Sequence, residues 1–254
     1  MQQLFNLSGS IALCTGASSG IGRRMAYALS SAGADVVLVG RRQDLLSEAE
    51  MEIAGATGGR TASVVADLLN RDGLADLVAN ATVHFGAPTI LVNAAGINLR
   101  EPPEEITLES WDRTLNLNLA TPFFLARACV PGMRASGHGK IINVASLQSS
   151  RAFPNSIAYG AAKGGVAQLT RAMAEAWSAD RILSNAVAPG FFETGLTAAV
   201  FENPSLVAHN ARMTAVGRNG VMEDLDGITV FLASRASDYI TGQVIHLDGG
   251  YTAK

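Results

Sequence analysis

The sequence predicts an α/β fold, in which one doubly wound parallel sheet carries helices on both faces. Short apolar runs alternate with longer amphipathic stretches along the whole chain, which is the pattern of repeated βαβ units. The apolar runs are continuous, as expected for strands that helices bury on both faces. A glycine-rich turn joins the first run to the first amphipathic stretch, and the crossovers should be right-handed.

The strands are predicted where apolar and β-branched residues cluster, at 11–14, 36–39, 62–66, 89–92, 140–144, 183–188 and 243–247. The helices are predicted at 22–32, 43–54, 71–85, within 108–134, at 157–178 and at 224–232. Because no linker or repeat separates these elements, residues 1–254 are expected to form a single domain. The segment 191–220 contains Pro204 and three glycines, and is predicted to be an irregular segment that covers the site.

Composition excludes several classes of protein. The chain has 254 residues, of which 48% are hydrophobic and 16% charged, and its net charge is −3. This charge gives no long-range attraction to nucleic acid or to an anionic membrane. No apolar stretch reaches membrane-spanning length, two cysteines make no disulfide framework, and the N-terminal residues do not resemble a secretory signal. A cytoplasmic location is therefore expected.

The turn after the first strand is rich in glycine and is the first candidate binding element. Gly16, Gly20 and Gly22 lie within Thr-Gly-Ala-Ser-Ser-Gly-Ile-Gly, and glycine lets a backbone turn sharply and approach a pyrophosphate. The helix that follows offers free N–H groups and a positive dipole end. The expected function is dinucleotide binding on a Rossmann-type fold; the alternative is a tight turn that binds nothing.

The end of the second strand discriminates between the two nicotinamide cofactors. An acidic residue at this position binds the ribose 2′-hydroxyl of NAD, whereas this chain has Arg41 and Arg42. Two guanidinium groups can pair with a 2′-phosphate. NADP(H) is therefore the expected cofactor, NAD(H) stays open, and two solvated arginines are the alternative interpretation.

Three further residues predict acid–base chemistry. Tyr159 and Lys163 are four residues apart at the start of a helix, so they share one face. A nearby ammonium should lower the pKa of the phenol and make it a usable acid or base. Ser146 ends the fifth strand, where its hydroxyl can bind a carbonyl oxygen. Each residue alone would suit a surface pair or a turn.

Other chemistries are not indicated. His84, His138, His209 and His246 show no metal-ligand spacing, so no metal site is predicted. Ser146 lacks the Gly-x-Ser-x-Gly context of a serine hydrolase.

These motifs together resemble the short-chain dehydrogenase/reductase family over essentially the whole chain. The resemblance implies that Tyr159 is the general acid/base and that Lys163 lowers its pKa and binds the nicotinamide ribose. It implies that Ser146 orients the carbonyl and that Asn118 holds a water that links Lys163 to solvent. It also implies a cofactor-binding set, made of Gly16, Ser18, Ser19, Gly20, Ile21, Gly22, Arg41, Arg42, Asp67, Leu68, Asn93, Ala94, Gly96, Tyr159, Lys163, Pro189, Gly190, Phe192 and Thr194.

The substrate is less narrowly indicated than the cofactor. Several stretches, such as Gly96–Arg100, are similar to the sugar-acid dehydrogenases, a group with gluconate 5-dehydrogenases and ketogluconate reductases. Arg100, Gln148 and Arg151 are candidates to bind a carboxylate or hydroxyls, and Phe153 is a candidate to line the pocket.

Three further expectations stay open at this stage. A 3-oxoacyl-thioester reductase or a general ketone reductase uses the same scaffold. A non-catalytic dinucleotide sensor is the alternative of another class, although the Ser146, Tyr159 and Lys163 set argues against it. The resemblance also implies a homotetramer, in which the segment 247–251 packs at a subunit interface.

Overall fold

The computed structural model describes residues 2–254, and its strands form one seven-stranded parallel sheet. The strands lie in the order β3-β2-β1-β4-β5-β6-β7. Because the order reverses direction after β3, a crevice opens at the carboxyl ends of β1 and β4. The strand bounds are β1 Ile11–Thr15, β2 Asp35–Gly40, β3 Thr61–Val65, β4 Ile90–Asn93, β5 Gly139–Val144, β6 Ile182–Pro189 and β7 Val244–Leu247.

The helices that the sequence predicts are present, with ends shifted by a few residues. The range 108–134 contains two helices, α5 and α6, separated by a π-helical stretch at Asn116–Ala120. The helix bounds are α1 Gln2–Phe5, α2 Gly20–Ser31, α3 Gln43–Thr57, α4 Leu74–Phe85, α5 Leu108–Leu115, α6 Thr121–Ala135, α7 Ile157–Trp177, α8 Ala198–Phe201, α9 Pro204–Met213 and α10 Asp224–Ala233.

Both faces of the sheet are buried, which explains the continuous apolar runs. Leu38 and Cys14 pack into the core beneath α2, α3 and α10. Their neighbours Leu13, Val37 and Val39 pack into the core beneath α4, α6 and α7. Because successive strand residues point to opposite faces, consecutive positions in the middle of β1 and β2 are apolar. The doubly wound fold class is confirmed.

A chain of buried polar side chains ties the centre of the sheet to α7. The Asn93 amide donates to Asn143 Oδ1 at 2.9 Å, and the Asn143 amide donates to Thr170 Oγ1 at 3.0 Å. Asn143 and Thr170 are 0% exposed, so each hydrogen bond is made away from water and is costly to break. This network holds β4, β5 and α7 in one relative position.

The segment 191–220 differs from the irregular segment that the sequence predicts, because it contains α8 and α9. The residues Asn203 and Pro204 begin α9: Asn203 Oδ1 accepts hydrogen bonds from the N–H groups of Ser205 and Leu206 at 3.0 and 3.3 Å. An asparagine cap followed by proline is a helix-start pattern, whereas the prediction counted Pro204 among the signs of an irregular segment. Among residues 2–254, no helix is long and apolar enough to cross a membrane.

Candidate active site

The carboxyl ends of the strands border a cleft of about 900 Å³. Loops that follow each of the strands β1 to β6 supply its lining, and α8 and α9 cover one side. Most residues in the sequence-based site prediction line this cleft; Asn93, Asn118 and Arg151 do not. The cleft is therefore the candidate active site.

The glycine turn needs its glycines for close packing of backbone on backbone. Gly16 has a φ of +65°, and a Cβ there would lie 2.9 Å from the backbone of Ala95. A Cβ on Gly22 would lie 2.4 Å from the carbonyl oxygen of Gly16. The N-cap residue Ser19 makes no side-chain capping bond, so the first N–H groups of α2 remain available to an anion. These features fit the pyrophosphate of a dinucleotide.

The arginine pair lies at the far end of the same cleft from Tyr159. Arg41 and Arg42 are exposed and line the cleft. The Arg42 guanidinium donates to Ser18 Oγ at 3.4 Å, which joins it to the glycine turn. Asp67 also lines this end, and its carboxylate accepts a hydrogen bond from the Leu69 N–H at 3.0 Å. The residues present fit a dinucleotide that carries a ribose phosphate.

The loop after β4 is held from both sides. Thr15 Oγ1 accepts hydrogen bonds from the N–H groups of Ala94 and Ala95 at 3.1 and 3.2 Å. On the other side, the Asn118 amide donates to Ile97 O, and Asn118 Oδ1 accepts from Ile97 N–H. Asn118 is 0% exposed and its side chain is engaged by the loop, so the structure gives this side chain a supporting position beneath the cleft.

Ser146, Tyr159 and Lys163 come together at the inner end of the cleft. Lys163 Nζ lies 5.6 Å from the centre of the Tyr159 ring and donates to Val144 O at 2.6 Å. Ser146 Oγ accepts a hydrogen bond from the Gln148 N–H at 3.1 Å. The Ser146 proton is therefore free to be donated, and Tyr159 lies within its reach.

Burial shifts the pKa values of Tyr159 and Lys163 in opposite directions, and the shift of Tyr159 is opposite to the one expected from the sequence. Burial raises the pKa of Tyr159, against weaker lowering effects from the Ser146 hydrogen bond and the Arg100 charge. Burial lowers the pKa of Lys163 to about 8. The expected net lowering of the phenol pKa is therefore wrong, because desolvation disfavours the charged form of each group and outweighs the lowering effects on Tyr159.

The predicted substrate residues divide into two groups. Arg100, Gln148 and Phe153 line the cleft, and the Arg100 guanidinium reaches Leu196 O at 3.4 Å. Arg151 instead donates to Tyr251 O at 3.2 Å, so the structure places it behind the wall of the cleft.

Several lining residues were missed by the sequence analysis. Tyr251, expected at a subunit interface, is 6% exposed in this chain and packs against Phe153 and Phe191 at 6.2 and 5.9 Å between ring centres. Further missed lining residues include Asn98, Arg113, Leu117, Asn155, Leu196, Val200, Leu206, His209 and Asn210. Leu206, His209 and Asn210 lie on α9 at helical spacing, and they were missed because the segment was expected to be irregular.

The burial of Lys163 predicts a pH dependence of stability. Its pKa falls from 10.5 to about 8 on folding, so between these values the unfolded chain holds more protons on this amine, and the contribution of Lys163 to stability rises with pH. Burial of Cys14, Cys129 and Tyr159 acts in the opposite sense at alkaline pH, so the contribution of Lys163 is read from the difference between two proteins. Lys163→Met lacks this contribution and should exceed the wild type in free energy of unfolding by about 3 kcal/mol at pH 7. Urea unfolding at pH 7 to 11 measures it.

The difference between the two proteins should vanish at the alkaline end of this range, which serves as an internal control. Parallel stability curves for the wild type and Lys163→Met would show that the amine is not desolvated.

Comparisons with known proteins agree with this geometry. A family model described as Enoyl-(Acyl carrier protein) reductase matches residues 16–252. A gluconate 5-dehydrogenase of Gluconobacter oxydans (strain 621H) is 40% identical over 98% of this chain and 97% of its own. A 2-dehydro-3-deoxy-D-gluconate 5-dehydrogenase of Escherichia coli (strain K12) is 38% identical over 98% of both chains.

A solved structure is similar over the same extent. The gluconate 5-dehydrogenase from Burkholderia cenocepacia J2315, in complex with NADP and tartrate, superposes with a TM-score of 0.94 at 35% identity. The match covers 100% of this chain and 99% of that chain. With the family model and the relatives, it shows that this chain belongs to the short-chain dehydrogenase/reductase family of NAD(P)-dependent oxidoreductases, which act on CH–OH and C=O groups.

Proposed function

We propose that this chain is an NADP(H)-dependent oxidoreductase that interconverts a secondary alcohol and a carbonyl group on a sugar acid or a related polyol. The observation that carries the proposal is the placement of Ser146, Tyr159 and Lys163 at the inner end of a cleft that begins at the glycine turn. The G. oxydans and E. coli relatives, named as sugar-acid dehydrogenases, support the substrate class.

Ser146, Tyr159 and Lys163 each have a separate role in the proposed reaction. A bound nicotinamide supplies or accepts the hydride. The Ser146 hydroxyl donates a hydrogen bond to the substrate oxygen and holds it beside Tyr159. In reduction, the Tyr159 hydroxyl gives its proton to that oxygen; in oxidation, the phenolate takes the proton back. Lys163, protonated near neutral pH, stabilises the phenolate while the proton is absent.

The cofactor-binding half of the cleft supports a preference for NADP(H). Arg41 and Arg42 offer two exposed guanidinium groups beside the glycine turn, and the last residue of β2 is Gly40 where NAD-specific folds place an acid. The structure with 35% identity was solved in complex with NADP. We assign the ribose phosphate to this arginine pair.

The substrate half of the cleft supports an anionic, hydroxylated substrate. Arg100 lines this half, and its charge weakly opposes the rise that burial causes in the pKa of Tyr159, so this charge reaches the reacting centre. We assign it to a substrate carboxylate, which a guanidinium binds well.

An aromatic wall favours a second candidate, a reductase of bulkier apolar ketones or 3-oxoacyl thioesters. Phe153, Phe191 and Tyr251 pack edge to face or tilted, with ring centres 5.9 to 6.2 Å apart. Such a wall offers apolar area to an alkyl or aryl group.

We also propose that the protein works as a cytoplasmic homotetramer. Val83 in α4 and Leu108 in α5 are 83% and 85% exposed, and burial of such side chains between subunits would remove apolar area from water.

A substrate screen tests the proposed activity directly. Sugar acids, polyols, acetoacetyl thioesters and aryl ketones are assayed with both cofactors and in both directions by absorbance at 340 nm. The highest kcat/KM is expected for a sugar acid or polyol with NADP(H). A preference for aryl ketones or thioesters would favour the second candidate, and cofactor binding without turnover would favour a dinucleotide sensor.

The arginine assignment predicts a change of cofactor preference. Replacing both Arg41 and Arg42 by alanine removes two charge-assisted hydrogen bonds, so KM for NADPH should rise about 10-fold to 100-fold while KM for NADH changes little. Arg235→Ala, at an exposed arginine outside the cleft, is the matched control. Equal changes in both KM values would contradict the assignment.

A further inference from the structure

Helix α9 presents one face to the cleft. Leu206, His209 and Asn210 line the cleft, and their spacing of three and four residues places them on the same side of a helix. The Asn203 cap fixes the first turn of α9 through the N–H groups of Ser205 and Leu206. The cap therefore fixes the orientation of α9 at its first turn, and this orientation decides which side chains face the cleft.

Contacts along the rest of α9 hold it in that rotation. The Asn219 amide donates to Val207 O at 3.0 Å. Lys254 Nζ donates to the carbonyl oxygens of Arg212 and Thr214, at 3.2 and 2.8 Å. With both ends held, Asn210 is directed into the cleft by the fold.

The carboxamide of Asn210 lines the cleft without a hydrogen bond to any residue that the structure describes. Asn210 is 7% exposed, and within residues 2–254 its side-chain amide makes no hydrogen bond, although it lines the cleft. The polar atoms of Asn210 are not enclosed, so the amide is open to the cleft. A ligand that displaces ordered water from such an amide loses affinity unless it replaces the hydrogen bonds of that water. A group that enters the cleft would complete this hydrogen bonding.

A second carboxamide lines the cleft, that of Gln148, two residues after Ser146. Among residues 2–254 its Oε1 is enclosed without a hydrogen-bond partner, whereas its amide nitrogen is not enclosed and can donate into the cleft. The open carboxamide of Asn210 both donates and accepts hydrogen bonds, and a hydroxyl group does the same, whereas a carboxylate only accepts. A hydroxyl therefore matches Asn210, and its oxygen can also accept from the Gln148 amide.

We propose that Asn210 is a specificity-determining residue that binds a substrate hydroxyl beyond the reacting carbon, and that Gln148 makes a second such contact. The proposal rests on the proposed function, which it deepens. These contacts select polyhydroxylated carbonyl compounds over ketones of the same length that lack hydroxyl groups, while Arg100 binds the carboxylate.

Matched substrates test the assignment. 5-Dehydro-D-gluconate and 5-oxohexanoate share chain length, ketone position and carboxylate, but only the first carries hydroxyl groups. Asn210→Leu should lower the ratio of their kcat/KM values at least about 10-fold, mainly through KM of the hydroxylated ketone. Activity towards 5-oxohexanoate and the Kd for NADPH should stay within about twofold of wild type, which is below a significant energy change.

Two further variants keep the result interpretable. Asn210→Ala should lower the same ratio without introducing a bulky side chain. Asn80→Leu, at an exposed asparagine in α4 that does not line the cleft, should leave the ratio unchanged. A second substrate pair, hydroxyacetone and butanone, repeats the comparison without a carboxylate.

The possible failures are distinct. If Asn210→Leu and Asn210→Ala keep the wild-type ratio for both pairs, the Asn210 assignment is wrong while the proposed activity stands. If they weaken NADPH binding and leave the ratio intact, Asn210 contacts the cofactor instead. If the wild type reduces none of the four ketones, the proposed function fails and the assignment falls with it.

Discussion

Burial of a parallel sheet on both faces is the constraint on which the rest of this structure depends. Each strand must run in the same direction, so every connection crosses the sheet and all carboxyl ends meet at one edge. The reversal of strand order after β3 opens that edge at β1 and β4. The glycine turn, the loop after β4 and Ser146 are therefore brought together although they are far apart in the sequence.

The same burial governs the electrostatics of the site. Tyr159 and Lys163 are 9% and 5% exposed, and desolvation favours the neutral form of both groups. The protein tolerates this cost because the amine donates to Val144 O and because Ser146 lies against the phenol. Charge that appears on the phenol during proton transfer would then be stabilised in a poorly solvated place, where each interaction is stronger than in water.

The strands and the Ser146, Tyr159 and Lys163 set were predictable, because periodicity and motif spacing are local properties of the chain. The site residues on α9 and the inward position of Tyr251 were not, because both depend on contacts between distant segments. The glycine pair Gly249 and Gly250 lies against residues 214–216 so closely that a Cβ on either would meet a side chain at 2.7 Å. The direction of the Tyr159 pKa shift was missed for the same reason, since the depth of burial is a tertiary property.

The central claim is that the Tyr159 hydroxyl transfers the proton while the rest of the cleft binds and orients. Turnover and NADPH binding of Tyr159→Phe, compared with Tyr239→Phe at a fully exposed tyrosine, measure it most directly. The account predicts a fall in kcat of about 10²–10⁴-fold with an unchanged Kd for NADPH in the first variant, and wild-type behaviour in the second. A Tyr159→Phe protein that keeps wild-type turnover would contradict the account.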